Sequence, residues 1–137
     1  MPRLLVINPE PAAQQKLVAL LSAQPDWDAE AVASLTQGID RLAADDFEMV
    51  VADLRLVAED EEAHLTALMA GDAYRPVLLT GADGTVDQVV GALHAGAAGF
   101  IHTNRIDIQL VDHITRVLNA AKRNKTQARL LECKSSS

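Results

Sequence analysis

The sequence predicts a doubly wound α/β domain, five parallel strands in one layer with helices packed on both faces. Three observations predict it. Short apolar runs of strand length alternate five times with helix-like stretches, and short loops join them. Hydrophobic residues make up 49% of the chain but aromatics only 3%, so the core must be built from Ala, Val, Leu and Ile, which suits a sheet buried on both faces. At 137 residues the chain is long enough for one domain with a full core. Right-handed crossovers follow for such a sheet, and no internal repeat interrupts the pattern.

Arg3 to Ile7 (RLLVI) is the first strand, broken by Asn8-Pro9-Glu10-Pro11. Pro11 suits the first turn of a helix, where no amide donor is needed, and that helix runs to about Ser22 with Ala13, Leu17, Leu20 and Leu21 on one face. Gln24-Pro25-Asp26 reads as a loop and Trp27 to Val32 as a short strand near the sheet edge. Ser34 or Thr36 can cap a second helix, with Leu35, Ile39 and Leu42 inward and an end near Ala44. Phe47 to Ala52 is the central strand, delivering Asp53 at its C-terminal end, and Leu54 to Ala58 reads as a loop. The carboxylates Glu59, Asp60, Glu61 and Glu62 fit a solvated helix start, because acids favour the first turn and consecutive helical residues point in different directions. That helix continues through Leu65, Leu68 and Met69, with Gly71 placed to end it.

Pro76 to Thr80 (PVLLT) is the fourth strand, followed by a loop over Gly81 to Gly84. Thr85 can cap a helix with Val86, Val89, Val90 and Leu93 inward, closed by Gly96 as a left-handed cap. Ala98 to His102 (AGFIH) is the fifth strand. Asp107 starts a long last helix, with Leu110, Ile114, Val117 and Ala121 on its packing face and a frayed end over Ser135 to Ser137. Carried to Leu131, it would span roughly 37 Å at 1.5 Å per residue, more than the sheet needs. Beyond Ala121 the apolar seam thins to Asn124, Ala128 and Leu131, so the chain divides into a domain over residues 1–121 and a helical extension over 122–137. Such an arm suits an N-terminal regulatory module of a longer protein, or a stand-alone adaptor.

Charge and composition exclude several functions. Residues 1–115 carry Lys/Arg 6 and Asp/Glu 18, a net of −12, whereas residues 116–137 carry Lys/Arg 6 and Asp/Glu 1, a net of +5. An acidic body repels phosphate backbones, which argues against nucleic-acid binding by the domain. The basic tail reads as solvated helix positions. No run of 18 apolar residues and no signal-peptide layout is present, so no membrane role is expected. The lone cysteine, Cys133, excludes an internal disulfide and points to the cytoplasm. His64, His94, His102 and His113 have no common motif spacing for a metal site.

Three stretches carry a resemblance: VVADLRL with its terminal Asp53, PVLLTG with Thr80, and AGAAGFI from Ala95 to Ile101. In this order, on a five-fold β/α pattern, they resemble the receiver domain of bacterial response regulators in two-component systems, over Arg3 to about Leu118. The resemblance implies the flavodoxin-like (βα)5 fold with strand order 2-1-3-4-5. It also implies phosphorelay signalling, in which the strand-end Asp is the nucleophile that takes a phosphoryl group from a histidine kinase. A Mg²⁺ held by an acidic pair after the first strand neutralises the phosphoryl oxygens. A Lys after the fifth strand pairs with them, and a Thr and an aromatic residue relay the change.

Carried over, Asp53 is the phosphoacceptor position, Thr80 the switch hydroxyl and Phe100 the switch aromatic, and Arg55 would lend a backbone carbonyl to Mg²⁺. The remainder departs from the family's pattern. The acidic pair falls on Asn8 and Pro9, with Glu10 one position beyond, so Asn8, Glu10 and Asp53 are the remaining candidates for metal ligands. The Lys falls on Thr103, the Pro after it on Asn104, and the Pro four residues after the acceptor on Val57. One preorganised charged contact is commonly worth ~3–4 kcal/mol to a developing charge, so aspartyl phosphorylation is expected to be impaired or absent. On the bare residues, Asp53 reads first as a solvated or capping carboxylate, Thr80 as a strand-end hydroxyl and Phe100 as fixed packing, ahead of any phosphoacceptor or switch role.

The expected function is therefore a non-enzymatic regulatory module that acts by protein–protein contact with a kinase or an output domain. It would dimerise or dock through the fourth helix, fifth strand and fifth helix. The alternative is a phosphorelay receiver working at Asp53 through an altered Mg²⁺ site that uses Asn8 and Glu10. A flavodoxin-like enzyme or nucleotide binder is disfavoured, because no Gly-rich phosphate loop follows the first strand.

Overall fold

The structure, a computed structural model, describes residues 3–25, 27–57, 60–69, 75–81 and 86–135. In chain order its elements are β1 (Arg3–Ile7), α1 (Pro11–Ser22), β2 (Asp28–Val32), α2 (Leu35–Ala44), β3 (Met49–Asp53), α3 (Glu61–Leu68), β4 (Val77–Gly81), α4 (Val86–His94), β5 (Gly99–His102) and α5 (Ile106–Ser135). A helical turn, Leu54–Val57, leaves β3, and a 3-10 turn, Thr103–Arg105, leaves β5. All five strands pair in parallel, as the β/α alternation predicts, in the order β2-β1-β3-β4-β5 that the receiver resemblance implies.

Period-two alternation explains the two cores. Leu5, Ile7, Val50, Ala52, Val77 and Leu79 point to one face, against Leu35 and Leu42 of α2, Leu65 and Leu68 of α3, and Val89 and Ala92 of α4. Leu4, Val6, Met49, Val51, Leu78 and Ile101 point to the other, against Leu17 and Leu21 of α1 and Ile106, Leu110, Ile114 and Leu118 of α5. The edge strand β2 is only half-buried and carries Asp28 and Glu30, which ion-pair with Arg3 and Arg41 respectively. Charge along an exposed edge discourages further strand pairing.

Several local expectations give way to packing. The central strand starts at Met49 rather than Phe47, because Phe47 turns its ring under the Arg3 and Arg41 guanidinium groups, 4.8 and 5.9 Å from their carbons. The stretch after Asp53 is a helical turn, not a loop: Leu54 and Val57, three residues apart, both bury in the core. Ser34, not Thr36, caps α2 by accepting the Gln37 N–H at 3.2 Å. The inward stripe of α2 runs through Gly38, leaving Ile39 at its rim, 36% exposed. In α4 the inward pair is Val89 and Ala92, so Val90 and Leu93, one position around the helix, stand out at 42% exposed each. Asp60 caps α3 by accepting the Ala63 N–H at 3.2 Å, and Gly96, at φ 120, closes α4. The last strand begins at Gly99 rather than Ala98, and the last helix runs one residue earlier and through Ser135. Gly71 and Thr85 lie outside the described residues, as do 82–84 of the loop expected after β4.

Two other positions secure the fold. Gly38 faces β1 so closely that a Cβ there would overlap the Ile7 Cδ1 methyl and lie 3.0 Å from its Cγ1. Buried Arg75 donates Nε to the Phe47 carbonyl at 3.1 Å and Nη1 to the Leu68 carbonyl at 3.0 Å, tying the end of α3 to the chain entering β3.

Candidate functional site

The C-terminal ends of β1, β3 and β4 converge where open parallel sheets hold their chemistry. Asp53 ends β3 and is buried, and its Cα is paired in register with Thr80 at the end of β4. One residue beyond β1, Asn8 is buried and held from three sides. Its N–H donates to the Val32 carbonyl at 3.0 Å, its carbonyl accepts from Gln14 Nε2 at 2.6 Å, and its Oδ1 accepts the Glu10 N–H at 2.9 Å. The last bond fixes the amide, leaving Nδ2 to face Asp53 Oδ2 at 3.4 Å. Asn8 thus presents a donor, not a metal ligand, to the carboxylate.

Arg55 dominates the electrostatics. Its N–H donates to Asp53 Oδ1 at 2.9 Å, which makes Asp53 the cap of the turn Leu54–Val57. Its guanidinium folds back on the same carboxylate, Nε to Oδ1 at 3.1 Å and Nη2 to Oδ2 at 2.9 Å. The same Nη2 reaches Glu10 Oε1 at 3.1 Å, so one nitrogen joins the two carboxylates across the β1–α1 and β3 ends. Hydrogen bonds to Asp53 first, then Glu10, raise the Arg55 pKa further above its ordinary value. Both oxygens of Asp53 are engaged by N–H donors. A carboxylate whose lone pairs are held in this way is a weak nucleophile.

Glu10 therefore does reach Asp53, but through a cation. The connection is made by the Arg55 side chain, where the resemblance implies a role only for the Arg55 carbonyl. The available signal was an Arg two residues after a strand-end Asp, a spacing that lets backbone and side chain grip one carboxylate. The grip depends on the helical turn Leu54–Val57, which a loop over this stretch would not provide.

Thr80 is buried beside Asp53. Phe100 is half-buried on the side of the sheet that faces α2, α3 and α4, and its Cε2 lies 3.4 Å from where a Cβ at Gly81 would be, so the ring covers the residue after Thr80. Thr103, where the receiver resemblance implies a Lys, is exposed at the start of the 3-10 turn and brings no cation. His102 is exposed and paired in register with Gly81. Among the described residues, no three His, Cys, Asp or Glu side chains gather as a metal site. The Mg²⁺ that the fold family implies does not fit the site as arranged: Asp53 already holds a guanidinium, Asn8 turns its N–H inward, and Glu10 is paired to the same guanidinium.

No protein-family model matches the sequence, and no curated protein matches it. Solved structures do. NtrX from Brucella abortus in complex with ATP superposes with a TM-score of 0.83 at 19% identity, covering 93% of this chain and 29% of that one. The chain thus spans under a third of NtrX. The signal receiver domain of an HD domain-containing protein from Pseudomonas fluorescens Pf-5 gives 0.80 at 18% identity, covering 91% of this chain and 92% of that one. A response regulator receiver domain protein from Clostridium thermocellum gives 0.78 at 18% identity, with coverage of 89% and 98%. The fold is that of receiver domains.

Proposed function

We propose that this chain is a receiver-like regulatory module of a signalling protein that works through protein contacts rather than through phosphorylation of Asp53. The observation that carries the reading is the Asp53 carboxylate, closed off by the Arg55 guanidinium and its backbone N–H. An incoming phosphoryl group would meet a carboxylate already paired, an amide in place of an acidic ligand at Asn8, and a neutral hydroxyl at Thr103 in place of an ammonium. In this reading Asp53 caps a turn, Thr80 fills a strand end and Phe100 is packing. The module is not an enzyme and acts in the cytoplasm; among the described residues no helix is long and apolar enough to cross a membrane.

The contact surface proposed is the α4–β5–α5 face, with a second copy, a kinase or an output domain as the partner. Support comes from Val90 and Leu93, each 42% exposed on α4, and Ile108, 81% exposed on α5. The α5 side chains buried against the sheet include Leu118, and the helix continues to Ser135, which favours a domain over 1–121 and a projecting arm over 122–137.

One observation favours the alternative, a phosphorelay receiver with an altered site: Glu10 and Asp53 both reach one centre, now held by Arg55 Nη2. Intact mass after incubation with Mg²⁺ and a small-molecule phosphodonor separates the two, with Asp53→Asn alongside. The proposal expects no adduct on the folded protein. A phosphoryl adduct on the wild type that the variant lacks would overturn it and establish the alternative.

A further inference from the structure

Charge is segregated along this chain, and the structure gives the segregation a direction. Residues 116–137 carry Lys/Arg 6 and Asp/Glu 1, whereas residues 1–115 carry Lys/Arg 6 and Asp/Glu 18. Within the domain, Arg3, Lys16, Arg41 and Arg55 are already paired with carboxylates of the same domain. At the turn into β3, Asp46 and Glu48 are exposed and belong to no ion pair among the described residues. In a parallel sheet the helix after β5 runs back antiparallel to the strands. So α5 starts beside their C-terminal ends and leaves past their N-terminal ends, where Asp46 and Glu48 lie.

From Ile106 to Leu118 the helix advances about 18 Å, enough to cross a short strand at about 3.3 Å per residue. Leu118 is the last buried side chain of α5 among the described residues. From there to Ser135 the helix advances roughly 26 Å more. Isolated helical segments of this length are marginal in water, so a surface packed on the arm would stabilise it. Arg116 and Arg123, both exposed and two heptad turns of helix apart, lie on one face of α5.

We infer that the projecting half of α5 is a docking helix for a second copy of this chain. Two copies meet end to end, each laying its basic arm against the acidic surface of the other at the start of β3. Charge decides between partners. Two arms side by side would set like charges together, and the seam of Asn124, Ala128 and Leu131 offers a coiled coil little apolar surface. Arm against domain sets unlike charges together. Because arm and acids lie at the same end of the domain, a two-fold arrangement makes both contacts at once. The net charge of −7 opposes association at a distance, but beyond about 8 Å that repulsion is screened at physiological salt, whereas the contact itself is closer than that. Each exposed ion pair contributes little, so the dimer is weak and salt-sensitive. It uses neither Asp53 nor the exposed apolar residues of α4, and so goes beyond the function proposed above.

The experiment is sedimentation velocity on the full chain in about 50 mM and about 500 mM NaCl. A dimer is expected at low salt, with a dissociation constant at least about tenfold higher at high salt. Two charge reversals locate the contact: Lys122→Glu/Arg123→Glu/Lys125→Glu on the arm and Asp46→Lys/Glu48→Lys on the domain, each first shown to keep the wild-type far-UV spectrum. Each variant alone is expected to be monomeric, and an equimolar mixture to form a heterodimer, since both contacts then join unlike charges. A wild type that stays monomeric at low salt up to ~1 mM would overturn the inference whatever the variants do. So would an Asp46→Lys/Glu48→Lys variant as dimeric as the wild type, which would place the contact between two arms or on the α4–β5–α5 face. Fluorescence anisotropy with a labelled DNA duplex covers the other partner: a monomeric wild type that binds the duplex, and loses it on reversal of the arm, would assign the arm to nucleic acid instead.

Discussion

Replacing Asp53 with Ala is expected to destabilise the fold, and the contacts set the size of the loss. Asp53 caps the turn Leu54–Val57 through the Arg55 N–H at 2.9 Å, and losing such a cap costs about 1 kcal/mol. The ion pair to the Arg55 guanidinium is forked, but that side chain is 60% exposed, so its share is discounted for solvent to ~0.5–1 kcal/mol. The Asn8 contact, at 3.4 Å, adds little. The expected loss is therefore about 1.5–2 kcal/mol, or a fall in Tm of roughly 5–8 °C for a domain of this size.

The sign matters more than the amount. In a pocket of several carboxylates held close together, removing one relieves repulsion and raises stability. In this pocket the carboxylate is paired, so removal lowers it. Urea denaturation of wild type, Asp53→Ala, Arg55→Met and the double variant, without divalent cations, tests the reasoning as a double-mutant cycle. A coupling of ~0.5–1 kcal/mol is expected between the two positions. Asp53→Ala as stable as the wild type, or more stable, would refute it.

Two further perturbations test the frame around the site. Gly38→Ala should improve the propensity of α2 by about 1 kcal/mol, yet lower stability overall by about 1 kcal/mol, because the new methyl overlaps buried Ile7 and overpacking costs ~1–3 kcal/mol; a denaturation midpoint at or above the wild-type value would contradict that packing. His113, half-buried with its Nε2 2.6 Å from where a Cβ at Gly99 would lie, has its pKa lowered, first by burial and then by Arg116. Its neutral form is therefore the one the fold prefers. This stabilisation is present in full above the unfolded value of about 6.5 and is lost as pH falls from there toward the folded value. Unfolding free energies measured between about pH 5.5 and pH 7.5 should rise with pH, and His113→Gln should flatten the rise. A slope unchanged by the substitution would assign the effect to other groups.

The sheet was legible because its interior strands are buried on both faces and so read as continuous apolar runs, RLLVI and PVLLT above all. Helix faces were harder. In α4, Val89, Val90 and Leu93 are all apolar and give periodicity little to choose between, while the inward position belongs to Ala92, whose small side chain leaves no signal. The same happens in α2, where the inward residue is Gly38 and the conspicuous Ile39 sits at the rim. Small residues mark close approach of helix to sheet, and hydrophobicity cannot show it. At the site, the places of Asp53 and Thr80 near the ends of neighbouring strands could be read from the sequence, while Phe100 lies within β5. The partner of Asp53 could not, because the direction of a long Arg side chain depends on a helical turn that only core packing of Leu54 and Val57 explains.

That turn also bears on why an aspartate persists here at all. Capping needs one acceptor oxygen and one N–H two residues on, both within the same short segment. The phosphoryl chemistry that the receiver resemblance implies draws on acids after β1, a cation after β5 and the acceptor after β3, three loops that must agree. The local arrangement is the one complete among the described residues. If capping is what Asp53 does, Asp53→Asn, which keeps the acceptor oxygen and loses the charge, should retain the cap and give up only the ion pair. Its stability should then lie between wild type and Asp53→Ala, about 0.5–1 kcal/mol below the former. An Asn variant as damaged as the Ala variant would mean that charge, not capping, holds this residue in place.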